Sequence, residues 1–232
     1  MRGDARESEH VVGGMRTRAC IFDMDGVLID SGSHHRAAWA ALLVELGATP
    51  ARPDYWRLTI GRPAEEAVPL LLGHPVSDDE ARRFAYRKRE LYLDLARGGA
   101  PAVPGVKAFV EDLVSRDVPR GVGTSATGRD VERILRALCL RHHFAVVVSV
   151  EDVAWGKPDP EVYTLAAARM RVPPESCLVF EDSLVGIEAA RRAGMRAVGV
   201  ATAHDEGELR RAGAERVVAD FEGLTWTSLT AE

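Results

Sequence analysis

Asp23 and Asp25 stand one residue apart, directly after the apolar run 19–22. Carboxylates at the end of a buried segment are costly unless something positive binds between them. Such a pair can hold a hard cation such as Mg2+ through its oxygens, and a carboxylate can attack phosphorus to give an aspartyl phosphate. The plainer alternative is two exposed acids in a turn that Gly26 ends. A second acidic pair, Glu181-Asp182, follows the apolar run 177–180. A helix N-terminus explains Asp182 or Ser183 there, but not the adjacent Glu181. With Asp23 this pair would complete an oxygen cage for magnesium. Gly123-Thr124-Ser125-Ala126-Thr127 closes the run 120–123. Its hydroxyls and free backbone N–H groups suit an oxyanion, although a helix N-cap has the same composition. Gly156-Lys157-Pro158-Asp159-Pro160 holds a lysine in a proline-flanked loop. There it could neutralise a phosphoryl group and the carboxylate that attacks it, or stand as an ordinary surface lysine.

The elements that must position these residues follow from the apolar pattern. Runs at 19–22, 120–123, 145–150, 177–180, 197–200 and 216–218 are short and rich in Val, Ile, Phe or Cys. They read as strands buried on both faces of a parallel sheet. Helical patterns at 106–115, 129–138, 160–170 and 185–193 separate them, and Gly194 follows the last, where a left-handed cap is expected. This alternation indicates an α/β fold, a doubly wound parallel sheet with crossover helices. Ligands of such sheets bind outside the carboxyl ends of the strands. Four consecutive strand ends carry an acid pair, a hydroxyl, a lysine and a second acid pair. Each has a structural explanation by itself; the ordered set points to one site for phosphoryl chemistry.

Residues 31–103 break the alternation and show no strand. Positions 32–46 carry a helical stripe through His35, Trp39, Leu42 and Leu46, and 64–72 reads as a second helix. Ser77-Asp78-Asp79-Glu80 is a capping box that opens a third, running to about Arg97. Pro101, Pro104 and Gly105 mark the return. The expected organisation is a flexible tail over 1–16, a catalytic core over 17–30 and 104–232, and an all-helical cap over 31–103. Within the insertion, Lys88 shares a face with Phe84 and Leu91, an unusual place for a lysine. Arg82, Arg83, Arg87 and Arg89 read as the solvated face. His35 shares the stripe of Trp39, as a packed histidine at the core edge also would, and His34 points elsewhere.

The whole chain limits the partners. Its 232 residues carry a net charge of −5, with 46% apolar and 28% charged residues, enough for a sizeable core. No basic excess suggests nucleic acid. Cys20, Cys139 and Cys177 show no metal-knuckle spacing. An odd count without a secretory signal fits a cytoplasmic protein. No apolar run reaches the roughly 18 residues that cross a bilayer, so no membrane partner is expected. The polar start of the chain reads as a tail, with Met15 an alternative initiator, and the protein as a monomer or small homo-oligomer.

Asp23-Met24-Asp25-Gly26-Val27, Thr124-Ser125, the Lys157 loop and Glu181-Asp182-Ser183 with Gly186 resemble the four ordered motifs of the haloacid dehalogenase superfamily. With helices between the first two motifs, the chain is most similar to the β-phosphoglucomutase-like branch, over about residues 17–220. The resemblance implies a Rossmann-like core, Mg2+ and a small phosphorylated metabolite. It implies Asp23 as nucleophile and Asp25 as general acid and then base. Asp23, the carbonyl of Asp25 and Asp182 would ligate the metal, with Glu181 a ligand or an orienter. Ser125 and Lys157 would hold phosphoryl oxygens, with Thr124 and Ala126 beside them. His35, Gly61, Arg62 and Lys88 would face the substrate from the insertion. Dehalogenases of the superfamily lack an acid at the place of Asp25, so its presence implies phosphoryl chemistry. Arg62 departs from the mutase spacing after its glycine, and Ser31 stands where the mutase has threonine. The expected function is hydrolysis of a small phosphomonoester, a sugar phosphate, through an aspartyl phosphate. The alternative is a β-phosphoglucomutase-type mutase. A phospho-accepting receiver domain also uses acids, a hydroxyl and a lysine at sheet ends, but has neither the insertion nor the four-motif order.

Overall fold

β-Branched and aromatic runs suit a pleated surface that is apolar on both sides, and six of them pair in the computed structural model, which describes residues 17–230. The expectations for residues 1–16, Met15 included, lie outside the described residues. β1 (Ala19–Phe22), β2 (Arg120–Gly123), β3 (Val146–Val148), β4 (Cys177–Glu181), β5 (Arg196–Val200) and β6 (Arg216–Val218) form one sheet in the order β3-β2-β1-β4-β5-β6. Every pairing is parallel. The strand order reverses between β1 and β4, so their carboxyl ends flank the crevice where such sheets bind ligands. The register sets Ile21 beside Val179 and Phe22 beside Phe180. Continued by one residue, it brings Asp23 alongside Glu181.

α1 (Gly32–Leu46), α2 (Ala64–Leu72), α3 (Asp78–Leu95) and α4 (Val106–Ser115) lie between β1 and β2. α5 (Gly128–Ala137), α6 (Glu161–Met170), α7 (Leu184–Arg192), α8 (Glu206–Ala212) and α9 (Trp226–Thr230) follow. Side chains alternate across β1: Cys20 and Phe22 join one core with α4 and α5, while Ala19 and Ile21 join the other with α6, α7 and α8. Phe22 stacks on Phe180 at 4.9 Å and meets Phe109 and Phe144 edge-on at 6.1 and 5.7 Å. Truncating so enclosed a ring to alanine costs about 3–5 kcal/mol. This packing holds the ends of β1 and β4 in register beneath the site.

The three inserted helices have an apolar centre of their own, formed by Trp39, Leu42, Leu43, Ala67, Val68 and Leu71. Ser77 caps α3 in a reciprocal box with Glu80, as its sequence predicts. Two strand-like linkers join insertion and sheet: Ile29 bridges Ala102 antiparallel, Asp30 N–H donates to Pro101 O at 2.8 Å and Val103 N–H to Leu28 O at 3.2 Å. Gly105 closes the return with φ +74°, where a Cβ would overlap the backbone of Phe221.

The outcome differs from the sequence reading at a few edges. The run 145–150 is strand only at Val146–Val148, because Ser149 and Asp152 cap a 3-10 turn over Val150–Asp152. The helix expected at 129–138 lies one residue earlier, since the Thr127 side chain accepts the Asp130 N–H. α3 stops at Leu95 rather than Arg97. A 3-10 turn over Tyr55–Thr59 was not foreseen. Arg89 is not on a solvated face: its guanidinium donates twice to Asp130 of α5, at 3.0 and 3.1 Å. Gly194 has the left-handed backbone expected, with φ +75°.

Candidate active site

Lys157 is the centre of the sheet-side cluster. It is 1% exposed, and its Nζ donates to Asp23 Oδ1 at 2.8 Å and to Glu181 Oε1 at 2.7 Å. Burial disfavours an ammonium, but the two carboxylates outweigh it and hold Lys157 protonated, well above the ordinary lysine range. Glu181 is fully buried and saturated. Its Oε1 also accepts from Tyr163 at 3.0 Å, and its Oε2 accepts from the Ser183 N–H and hydroxyl at 2.7 and 2.8 Å. The second acid of the β4 end is Asp182, whose backbone carbonyl is met by buried His204 at 3.0 Å.

Asp23, Glu181 and Asp182 each offer an oxygen within 4.8 Å of the others. Burial drives the Asp23 carboxyl up to about 7 despite Lys157. Asp182 rises well above the ordinary range through burial, then through the charges of Glu181 and Asp23. Close acids that reject their own ionisation form an oxygen donor set fit for a hard divalent cation. Because the oxygens of Glu181 are already bonded, Asp23 and Asp182 are the side chains with acceptor capacity left. The turn that carries Asp25 closes against Asp182 only because position 26 is glycine. Gly26 has φ +75°, a Cβ there would overlap the Asp182 carboxylate, and Thr202 holds its carbonyl at 2.7 Å.

Asp25 belongs to a different network. It accepts from Ser31 Oγ at 2.5 Å and from His35 Nε2 at 3.1 Å, while Lys88 Nζ lies 2.6 Å from His35 Nδ1. Lys88 can only donate, so His35 carries its proton on Nε2 and donates that N–H to Asp25. Burial would raise the Asp25 carboxyl, but His35 and Ser31 bring it down to about 2. Burial and Lys88 lower His35. Burial lowers Lys88 to about 8, with Asp25 opposing. Trp39 and Tyr92 flank the lysine, their ring centroids 4.9 and 5.5 Å from Nζ.

A cavity of about 200 Å3 lies between the two networks. Asp23, Asp25, Asp182, Thr124 and Ser125 line its sheet side, and His35, Gly61, Arg62 and Lys88 its helical side. Ser125 Oγ donates to Gly61 O at 2.9 Å, joining β2's end to the insertion. Gly61 has φ +74°, and a Cβ there would overlap Ser183. Lys157 and Glu181 sit behind the wall. Ala126 lies outside this cavity, with its N–H turned to Thr124 Oγ1 at 3.2 Å. Tyr163, Thr202, His204, Arg36 and Trp56 escaped the sequence reading. Tyr163 sits in an ordinary apolar helix stripe, and the others had no pattern beyond their residue type.

Residues 17–194 match the haloacid dehalogenase-like hydrolase family. The chain is 36% identical to the validoxylamine A 7'-phosphate phosphatase of Streptomyces hygroscopicus subsp. limoneus, across 90% of this chain and 96% of that protein. It is 31% identical to the β-phosphoglucomutase of Bacillus subtilis, across 79% and 83%. Among solved structures, a hydrolase from Pseudomonas syringae superposes with TM-score 0.81 at 31% identity, over 89% of this chain and 95% of that one. A parallel sheet with acids, hydroxyl and lysine at its strand ends, and a family match across most of the chain, lead to one conclusion: the protein belongs to the haloacid dehalogenase-like hydrolases.

Proposed function

We propose that the protein is a phosphatase that hydrolyses a small phosphomonoester, a sugar phosphate or a similar polar compound, through an aspartyl phosphate on Asp23. The observation that carries this reading is the buried Lys157 bridging Asp23 and Glu181, directly behind the cavity wall that Asp23 and Asp182 line. Lys157 orients Asp23 and offsets negative charge as the phosphoryl group arrives. Glu181 holds Lys157, and Ser125 turns its hydroxyl from Gly61 to a phosphoryl oxygen. Mg2+, held by Asp23, Asp182 and the carbonyl of Asp25, would supply the positive charge that phosphoryl transfer needs. Asp25, ionised against His35 and Ser31, stands ready to take a proton from water; to protonate a leaving oxygen it must first gain a proton and leave that pair.

In this reading residues 17–30 and 104–232 are the catalytic core, 31–103 the cap, and 1–16 a flexible tail. Phosphatase-named relatives support the substrate class. Three free cysteines fit a reducing compartment, the cytoplasm. Among the described residues no helix is long and apolar enough to cross a membrane. The test is Mg2+-dependent phosphate release from a panel of phosphorylated sugars. No release from any of them, with p-nitrophenyl phosphate also inert, would refute the proposal.

The His35–Lys88 contact and the mutase relative favour a second reading, a β-phosphoglucomutase-type mutase using the same Asp23. Incubation with β-glucose 1-phosphate and a trace of bisphosphate separates the two: the mutase yields glucose 6-phosphate, the phosphatase inorganic phosphate.

A further inference from the structure

We propose that Arg36, held over Trp56, is a specificity-determining residue that binds a second anionic group, a phosphate or a carboxylate, on the substrate's leaving group. The inference rests on the phosphatase reading and names its substrate class.

Arg36 and Trp56 both line the cavity. The Arg36 guanidinium carbon lies 4.7 Å from the centroid of the Trp56 ring. A cation–π contact restrains a guanidinium over the ring and leaves N–H donors for another partner. Those donors have no carboxylate partner among the described residues. Asp30 lines the same cavity but makes no ion pair with Arg36. The neighbouring arginine behaves differently: Arg57 also approaches the Trp56 ring, at 5.3 Å, but donates to Glu208 of α8 at 2.6 Å. That pair ties the Trp56 turn to the sheet side of the molecule. The platform beneath Arg36 is therefore anchored, while the fork above it is unoccupied by protein.

In the phosphatase reading the transferred phosphoryl group is met by Asp23 and Ser125, with Lys157 behind Asp23. Arg36 comes from α1, which also supplies the neighbouring His35 to the helical side of the cavity. A charged guanidinium that lies over an aromatic ring at the lining of a concave site, without a protein partner for its donors among the described residues, is suited to bidentate recognition of an oxyanion. A neutral leaving group would leave it unused.

The experiment compares matched substrates by kcat/KM: fructose 1,6-bisphosphate against fructose 1-phosphate, and 3-phosphoglycerate against glycerol 3-phosphate. The first pair tests a phosphate as second anion and the second a carboxylate. At least one pair is expected to favour the doubly anionic member by about tenfold or more, mainly through KM, as a charge-assisted bidentate contact provides. Arg36→Ala should bring that ratio close to one. Trp56→Leu should lower it too, and the double variant should fall no further than the larger single effect, because Trp56 acts through Arg36. Ratios near one for both pairs in the wild type, or a ratio that survives Arg36→Ala, would overturn the proposal. If the protein releases no phosphate even from p-nitrophenyl phosphate, the phosphatase reading fails separately. Calorimetric binding of the same fructose pair then decides the subsite, with equal affinities overturning it.

Discussion

On the sheet side of the cavity, Asp23, Lys157 and Glu181 are at most 4% exposed, and the lysine is bonded to both acids. On the helical side, Arg36 is exposed, Arg62 half-buried, and Lys88, although buried, leans on a histidine rather than an acid. The first arrangement is self-complementary. Its lysine and acids hold one another in a dry setting, which fixes geometry at the cost of leaving little adaptability. The second has charge without acidic partners, so a ligand can complete it. Reaction chemistry wants preorganised groups, while recognition can use groups that only a substrate satisfies. The two walls are also joined directly, His35 meeting Asp25 and Ser125 meeting Gly61. Among the described residues, Arg57–Glu208 and Arg89–Asp130 are ion pairs that cross between insertion and core.

The strongest way to break this comparison is at the sheet side. Asp23→Asn should lower kcat by about 10^4-fold or more, since Asp23 is the cavity-lining carboxylate that Lys157 holds. Turnover near wild type at saturating substrate would show that Asp23 is not the nucleophile. Lys157→Met leaves Asp23 and Glu181 buried without their cation. It should destabilise the metal-free protein by about 3–5 kcal/mol in urea unfolding. A smaller loss in the presence of Mg2+ would sharpen the point, because a bound cation replaces part of the missing charge.

A pH series tests the same wall from another direction. Asp23 titrates near 7 in the metal-free site, and a metal binds the deprotonated carboxylate. Apparent Mg2+ affinity should therefore rise as pH rises through about 7, by about tenfold or more per pH unit below it, because Asp182 is also held above the ordinary carboxylate range. Calorimetric titration that finds affinity flat between pH 5 and 8 would remove the premise that burial keeps Asp23 protonated.

The helical side should respond in the opposite sense. Lys88 is pushed down to about 8 by burial, so below that pH the folded protein carries an ammonium it would rather discharge. Lys88→Met should stabilise the protein at pH 7, on the order of 1–3 kcal/mol, and raise KM for the physiological substrate. Wild-type stability rises as pH climbs from about 8 toward the ordinary lysine value, so the advantage of the variant should shrink across that window. A variant less stable than wild type at pH 7 would mean the contacts of Lys88 with His35, Trp39 and Tyr92 outweigh its burial. The smallest effect belongs to Arg89→Ala. Its partly exposed pair with Asp130 should contribute no more than about 1 kcal/mol. A larger loss would identify it as a principal clamp between insertion and core.

Much of the fold was legible because its signals are local. The runs at 19–22, 120–123 and 216–218 match the observed strands residue for residue, and the capping box at Ser77 forms as written. The residues at the strand ends were legible too, because the topology of a parallel sheet sends every strand end to one edge. What escaped was of another kind. Arg89 looked solvated because its helix pattern does not reveal Asp130, 41 residues away. Glu181 could be read as ligand or orienter until Lys157, Tyr163 and Ser183 were seen to take its oxygens.

The amino-acid order by itself determined the alternation of strands and helices, the helical insertion after β1, and the kinds of group available at the sheet edge. Hydrophobic period, turn chemistry and capping act over a few residues and are written in the chain. Only the tertiary structure decided which acid Lys157 holds, that Lys88 reaches Asp25 through His35, and that Arg36 lies over Trp56 with its donors free. Those outcomes depend on distances between elements far apart in sequence, set by side-chain packing, and no local pattern encodes them.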